Sequence, residues 1–277
     1  MICMGNLNSM KNFQYYLDLV STNEIFEVDS NWAQGRSIFG GLSAALILTR
    51  IESTNEADNR NLKSLSVNFC GIFAADTPCE IRYDVLSRGK SVVQIQGQLV
   101  QNNEVKTQII ACYAAPRESS IHINAKAAVP KSSIDKAMIF PYIPNITPAF
   151  IQHIDLGALN NCIPFTGVTT TDVMGWARFK DAPNTFNLAA VIALIDAWPP
   201  AVLPMLNKPA PASTITWNME FSNPELELKP DDAIYYECDV IDASDGYAHT
   251  EAKIYDPRGQ LIVLSRQLVG VYDKRSS

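Results

Sequence analysis

The sequence repeats one pattern of strands twice, and this self-similarity constrains the fold more than any single motif does. Residues 64–69 are SLSVNF and residues 216–221 are TWNMEF, and each segment is followed nine positions later by a proline, Pro78 or Pro230. In each half a strand-like segment follows the proline, and two further strand-like segments then flank a turn, QNNE or DPRG. Such turns between alternating apolar and polar residues are typical of antiparallel hairpins. The chain is therefore predicted to contain two copies of one structural unit.

Each half also carries one apolar segment ahead of its strands. These are residues 42–51 (LSAALILTRI), preceded by Gly40 and Gly41, and residues 187–198 (NLAAVIALIDAW). Both are apolar nearly all round, which is typical of a helix buried on most faces. Two prolines follow soon after Asp196, so the second helix is expected to end almost at once after that residue.

These features predict an α+β fold with two tandem copies of a long helix, each wrapped by an antiparallel β-sheet. The predicted repeats span residues 1–115 and 166–277. Residues 116–165 are rich in Pro, Ser, Asn and Ile and are predicted to form a long, irregular linker between them.

Composition and charge exclude several classes of function. The net charge of −7 argues against a nucleic-acid partner. The longest apolar run, Leu188–Ile195, is too short to cross a membrane, so no membrane partner is expected. The N-terminus shows no basic region followed by an apolar stretch, and the cysteines form no C-x-x-C pair, which favours a reduced cytoplasmic setting. His122, His153 and His249 are isolated from one another and from any ligand spacing, so no metal site is predicted.

The order of these segments resembles the double hot dog fold, and in particular the bacterial acyl-CoA thioesterase II family with its thioesterase-like relatives. The resemblance is carried by residues 32–51, 83–100 and 213–221, by the helix around Asp196 and by residues 261–272. It implies hydrolysis of an acyl-CoA thioester to a free acid and CoA, with no metal and no cofactor. It also implies a homo-oligomer.

In that family an Asp, a Thr and a Gln hold and activate the attacking water. By the resemblance, these positions fall on Asp196, Thr214 and Gln267. The repeat aligns Gln267 with approximately Ala111 in the first copy, where no amide is present. The resemblance therefore implies one catalytic half, the second, and one supporting half.

The residues themselves support some of these assignments and leave alternatives open. Asp196 has no Lys or Arg within one helical turn, and a buried carboxylate without a partner costs several kcal/mol. It is either a functional group or a residue at a helix end that reaches solvent. Gln267 shares the inward face of a strand with apolar residues, so it is either functional or a core residue bonded to the main chain. Thr214 is assigned from the resemblance alone.

Gly40 and Gly41 also have two interpretations. Glycines at the N-terminus of a buried helix let a ligand approach free N–H groups, which suits an oxyanion or a bound substrate. The same two residues would equally allow tight packing of the helix against its surroundings. The acyl chain itself is expected to run between helix and sheet.

The predicted function is hydrolysis of acyl-CoA thioesters. One alternative is a binding protein that keeps the fold and the acyl-CoA pocket without turnover. A less favoured alternative is a hydratase acting on enoyl-CoA, because such chemistry needs an Asp–His pair and no His lies near either predicted helix. The length of the acyl group and the identity of the thiol, CoA or a carrier protein, stay open.

Overall fold

A computed structural model describes residues 10–128, 130, 132–222 and 227–273. The described residues form three α-helices and fourteen strands. The helices are α1 (Phe13–Thr22), α2 (Gly40–Ser53) and α3 (Leu188–Asp196). The strands of the first half are β1 (Ile25–Phe26), β2 (Ala33–Gln34), β3 (Ser37–Ile38), β4 (Asn61–Phe69), β5 (Cys79–Arg88), β6 (Val92–Gln101) and β7 (Glu104–Ala114). Those that follow are β8 (Met138–Ile139), β9 (Ile154–Ala158), β10 (Asp172–Phe179), β11 (Ala212–Phe221), β12 (Ile234–Ser244), β13 (Tyr247–Tyr255) and β14 (Leu261–Val271).

The predicted repeat is visible in the order of the strands. Within the described residues, twelve strands form one antiparallel sheet in the order β1-β5-β6-β7-β4-β11-β14-β13-β12-β10-β9-β8. Outward from its centre the sheet runs β4-β7-β6-β5 on one side and β11-β14-β13-β12 on the other, which is the same sequence of hairpins twice. The two halves join where β4 pairs with β11, with Ser66 opposite Asn218.

Irregularities of pairing are repeated as well. The register between β4 and β7 shifts between Leu62 and Ser64, and that between β11 and β14 shifts between Thr214 and Thr216. A second pair of shifts lies in β5 and β12, at positions that also correspond between the halves. Because these register shifts recur at corresponding positions, they are features of the repeated unit.

The two apolar segments form the buried helices that the sequence predicts, but they differ in length. Helix α2 has 14 residues, whereas α3 has nine and ends at Asp196, as expected from the prolines that follow. The expectation of two long helices is thus met only by α2. The N-terminal end of α2 meets the C-terminal end of α3, because a Cβ at Gly41 would lie 3.0 Å from the carbonyl oxygen of Ala193.

The layer between helices and sheet is filled by the chain's own side chains. Leu42, Leu46 and Ile47 of α2 and Ile192 of α3 are fully buried within one continuous apolar cluster. An acyl chain lying between helix and sheet, as the sequence suggested, would have to displace this packing. Among the described residues no helix has the length and apolarity to span a lipid bilayer.

The segment predicted as an irregular linker, residues 116–165, is irregular only in its first part. Its later part contains β8 and β9, and β9 pairs along β10 from Ala158 opposite Gly175 to Ile154 opposite Phe179. The division into repeats 1–115 and 166–277 stays a prediction.

The structure also adds a helix that was not predicted, α1. Its start is capped by Asn12, whose side chain accepts a hydrogen bond from the N–H of Tyr15. Its inward residues, Phe13, Tyr16 and Val20, are buried.

Candidate functional site

Three side chains that the sequence singled out come together from three elements. Asp196 is the last residue of α3, Thr214 lies near the start of β11, and Gln267 lies in β14. Thr214 Oγ1 donates a hydrogen bond to Gln267 Oε1 at 3.2 Å. Gln267 Nε2 faces Asp196 Oδ1 at 3.5 Å, a long hydrogen bond. The three groups therefore form one polar chain that ends on a carboxylate.

A shift in strand register puts Thr214 on the correct face for this chain. Trp217 is opposite Gln267 and Thr214 is opposite Val269, and cross-strand partners project to the same face of a sheet. In a regular strand, residues three apart project to opposite faces. The extra residue at the shift, Ile215, turns Thr214 to the face of Gln267. Bulges of this kind re-aim side chains next to functional sites in many sheets.

The Asp196 carboxyl group is held by the other half of the chain. The backbone N–H of Gly41 donates to it, and a Cβ at Gly40 would lie 2.9 Å from Asp196 Oδ2. Burial raises the pKa of Asp196 to about 7, although the hydrogen bonds from Gly41 and Gln267 act in the opposite direction. A carboxyl group with a pKa near 7 has the basicity to take up a proton at neutral pH.

A cleft of about 340 Å³ opens beside this carboxyl group. Asp196, Thr214 and Gly40 line it together with Ser43 and Thr107. Its apolar wall is formed by Ile38, Phe69, Ile72, Phe73 and Trp198. The cleft lies at one end of the central β4–β11 pair, where the two halves of the chain meet.

The glycines show the tight packing that was one of their two interpretations. Besides Ala193, a Cβ at Gly41 would meet Phe39 Cζ at 2.6 Å and Asp196 Cβ at 2.9 Å. The N–H of Gly41 is directed at Asp196. Whether Gly40 or Gly41 also binds an oxyanion stays a prediction.

The structure adds two residues to the cleft that the sequence analysis did not name, Ser43 and Thr107. Both are buried, and their hydroxyl oxygens lie 3.1 Å apart. The sequence offers little signal for them, because each is one of several polar residues in its segment, LSAALILTRI or VKTQIIACYA.

None of the three histidines lines the cleft. His122 and His249 are exposed, and the ring of His153 stacks on Trp32 with centroids 4.1 Å apart. Within the described part of the chain, no group of three His, Cys, Asp or Glu side chains has the arrangement of a metal site.

Family models identify the relatives of this chain. The model for the acyl-CoA thioesterase N-terminal domain matches residues 28–114, and the model for the C-terminal domain matches residues 127–271. The chain belongs to the acyl-CoA thioesterase family. None of the curated proteins matches its sequence.

Solved structures of this family and of hot dog proteins are similar in fold. A hot dog protein of unknown function from Alicyclobacillus acidocaldarius is 22% identical, with a TM-score of 0.78 over 94% of this chain and 98% of that one. A putative thioesterase II from Thermobifida fusca is 20% identical, with a TM-score of 0.79 over 97% and 100%. An acyl-CoA thioesterase II from Mycobacterium marinum is 18% identical, with a TM-score of 0.70 over 93% and 99%. This member of the acyl-CoA thioesterase family therefore has a hot dog fold.

Proposed function

We propose that this protein, built as two tandem hot dog units, hydrolyses acyl-CoA thioesters with a water activated by Asp196. The observation that carries the proposal is the polar chain from Thr214 through Gln267 to Asp196 at the cleft. A thioester is already activated toward nucleophiles, so a positioned water and a base near neutral pKa are sufficient catalytic groups.

In the proposed reaction, water attacks the carbonyl carbon of the thioester while the Asp196 carboxylate takes one of its protons. The bond from carbon to sulfur then breaks, the thiolate leaves as CoA after taking up that proton, and the acyl group departs as the free acid. Thr214 donates its own proton to Gln267, so its oxygen keeps lone pairs that can accept a hydrogen bond from the water.

The developing negative charge on the carbonyl oxygen needs a donor close by. Because the N–H of Gly41 is directed at Asp196, the proposed donors are the other first-turn N–H groups of α2, at Gly40 and Leu42. Helix geometry leaves such groups without partners inside the helix.

The test is release of free thiol from a panel of acyl-CoAs, with Asp196→Asn as the diagnostic variant. Asn keeps the shape of the side chain and removes its basicity, so kcat should fall by roughly a hundredfold or more, as expected for loss of a general base. Asp242→Asn, on an exposed part of β12, serves as the matched control and should retain the activity of the wild type.

The second candidate is an acyl-CoA binding protein without turnover. The long contact of 3.5 Å between Gln267 Nε2 and Asp196 Oδ1 favours it, since a weak hydrogen bond would hold the amide less firmly for positioning a water. Binding of acyl-CoAs by calorimetry without thiol release from any of them would select this candidate over the hydrolase.

A further inference from the structure

We propose that Ser43 and Thr107 form a recognition subsite for a hydrogen-bond donor on the acyl group. The inference rests on the proposed function, because it places the acyl group in the cleft beside Asp196. It assigns a task to polar residues that the hydrolytic mechanism does not use.

The pair lies in the wall of the cleft and is buried. Ser43 is 1% exposed and Thr107 is 2% exposed, yet both line the cavity that holds Asp196. Gly40 connects the two sites, because its carbonyl oxygen accepts a hydrogen bond from Ser43 Oγ at 2.8 Å and its α-carbon lies against the Asp196 carboxyl group. A group bound at the pair is therefore close to the carboxylate.

Counting protons shows which kind of ligand the pair accepts. Ser43 has one hydroxyl proton, and it is donated to the carbonyl of Gly40. The proton in the 3.1 Å contact between Ser43 and Thr107 must then come from Thr107. Thr107 has thus used its only proton, and its oxygen retains lone pairs. Such an oxygen accepts a hydrogen bond from a hydroxyl or an amide N–H and gains nothing from an alkyl chain.

The second copy of the repeat shows that the fold does not require these hydroxyls. Thr107 is opposite Phe69 in the first half, and the corresponding partner of Phe221 in the second half is Val263. Ser43 donates its N–H to the N-cap residue of α2, and Val191 does the same in α3. Two valines, Val191 and Val263, therefore occupy the corresponding sites of the second copy, so the fold itself accommodates apolar side chains at these positions.

The experiment compares substrates that differ by one hydroxyl. The kcat/KM for 3-hydroxybutyryl-CoA should exceed that for butyryl-CoA by about two- to tenfold, the range that one neutral hydrogen bond provides. In Thr107→Val, which copies the chain's own second half, the ratio for the two substrates should fall to about one. Thr49→Val, on α2 but outside the cleft, is the control and should keep the wild-type ratio.

Several outcomes would overturn the subsite. One is a wild-type ratio of one or below, and another is a ratio that Thr107→Val leaves unchanged. Equal loss on both substrates would show that the pair binds the CoA portion instead. If the wild type releases no thiol from any substrate, the proposed hydrolysis fails, and calorimetry still tests the subsite: tighter binding of 3-hydroxybutyryl-CoA than of butyryl-CoA supports it, and equal binding overturns it.

Discussion

Burial of the Asp196 carboxyl group should make the protein less stable as the pH rises. The pKa of this group is raised from 3.8 to about 7, chiefly because burial removes water from the charged form. Below pH 3.8 both the folded and the unfolded chain hold the proton, and Asp196 does not lower the free energy of unfolding. Between that value and about pH 7 the unfolded chain loses the proton first, so the free energy of unfolding decreases. Above about pH 7 both states are ionised and the loss is complete.

The size of the effect follows from the two pKa values. A difference of one pKa unit corresponds to about 1.4 kcal/mol, so the interval from 3.8 to about 7 corresponds to about 4 kcal/mol. This is an upper limit, because Asp196 borders the cleft and water on that side screens part of the charge. In Asp196→Asn the side chain does not ionise, and the loss should be absent.

The assay is urea unfolding of the wild type and of Asp196→Asn between about pH 5 and pH 8. The stability of the variant relative to the wild type should increase over this range by up to about 3 kcal/mol. All other titrating groups cancel in the difference between the two proteins. A difference that stays constant with pH would refute the argument that Asp196 is desolvated, and with it the reason for treating it as a base.

Three further predictions use the same geometry. Replacing Gly by Ala inside a helix normally raises the free energy of unfolding by about 1 kcal/mol. Gly41→Ala should instead lower it by about 1 to 3 kcal/mol in urea unfolding, because the added Cβ meets the carbonyl of Ala193. An increase would mean that the space between the two helices accommodates the methyl group. Burial lowers the pKa of His153 to about 4 from 6.5, so this residue should reduce stability as the pH falls from 6.5 toward 4, by up to about 3 kcal/mol. His153→Gln should flatten that acid limb, and an unchanged limb would contradict the prediction. For hydrolysis, kcat/KM should rise with pH around a midpoint near 7, which is set by the pKa of Asp196. Gln267→Met should move this midpoint upward, because the Asp196 carboxylate loses a hydrogen-bond donor. An unchanged midpoint would show that the amide of Gln267 does not contact the ionised form of Asp196.

Local chemistry explains which parts of the fold were predictable from the sequence. The hairpins depend on turn residues adjacent in the chain, and α3 ends where two prolines follow, so both features are written in short segments. Strands β9 and β10 instead gain their stability by pairing with each other and with β12 across long connections. Helix α1 had a readable pattern, since its buried residues Phe13, Tyr16, Leu17 and Val20 are spaced for one helical face.

The candidate site shows the same limit. Asp196 and Gln267 are conspicuous in the sequence because burying their polar groups without partners is costly, and the structure brings the two together. Thr214 is different. Its side chain faces Gln267 only because the register shifts at Ile215, and the register of a strand depends on its partner. Predicting that Thr214 lies beside Gln267 therefore requires knowledge of how β11 pairs with β14.

The asymmetry of the repeat has a physical reason. Asp196 lies at the C-terminal end of its own helix, α3, where the dipole of that helix disfavours a negative charge. It also lies at the N-terminal end of α2, where the dipole of α2 and the N–H of Gly41 favour the charge. The carboxylate of one copy thus depends on the helix of the other. At the opposite end of the central strand pair, Leu62 and Ala111 occupy the positions of Thr214 and Gln267 and are buried. Leu62 and Ala111 carry no polar side-chain group that would need a partner when buried, whereas Thr214 and Gln267 bond to each other beside the cleft.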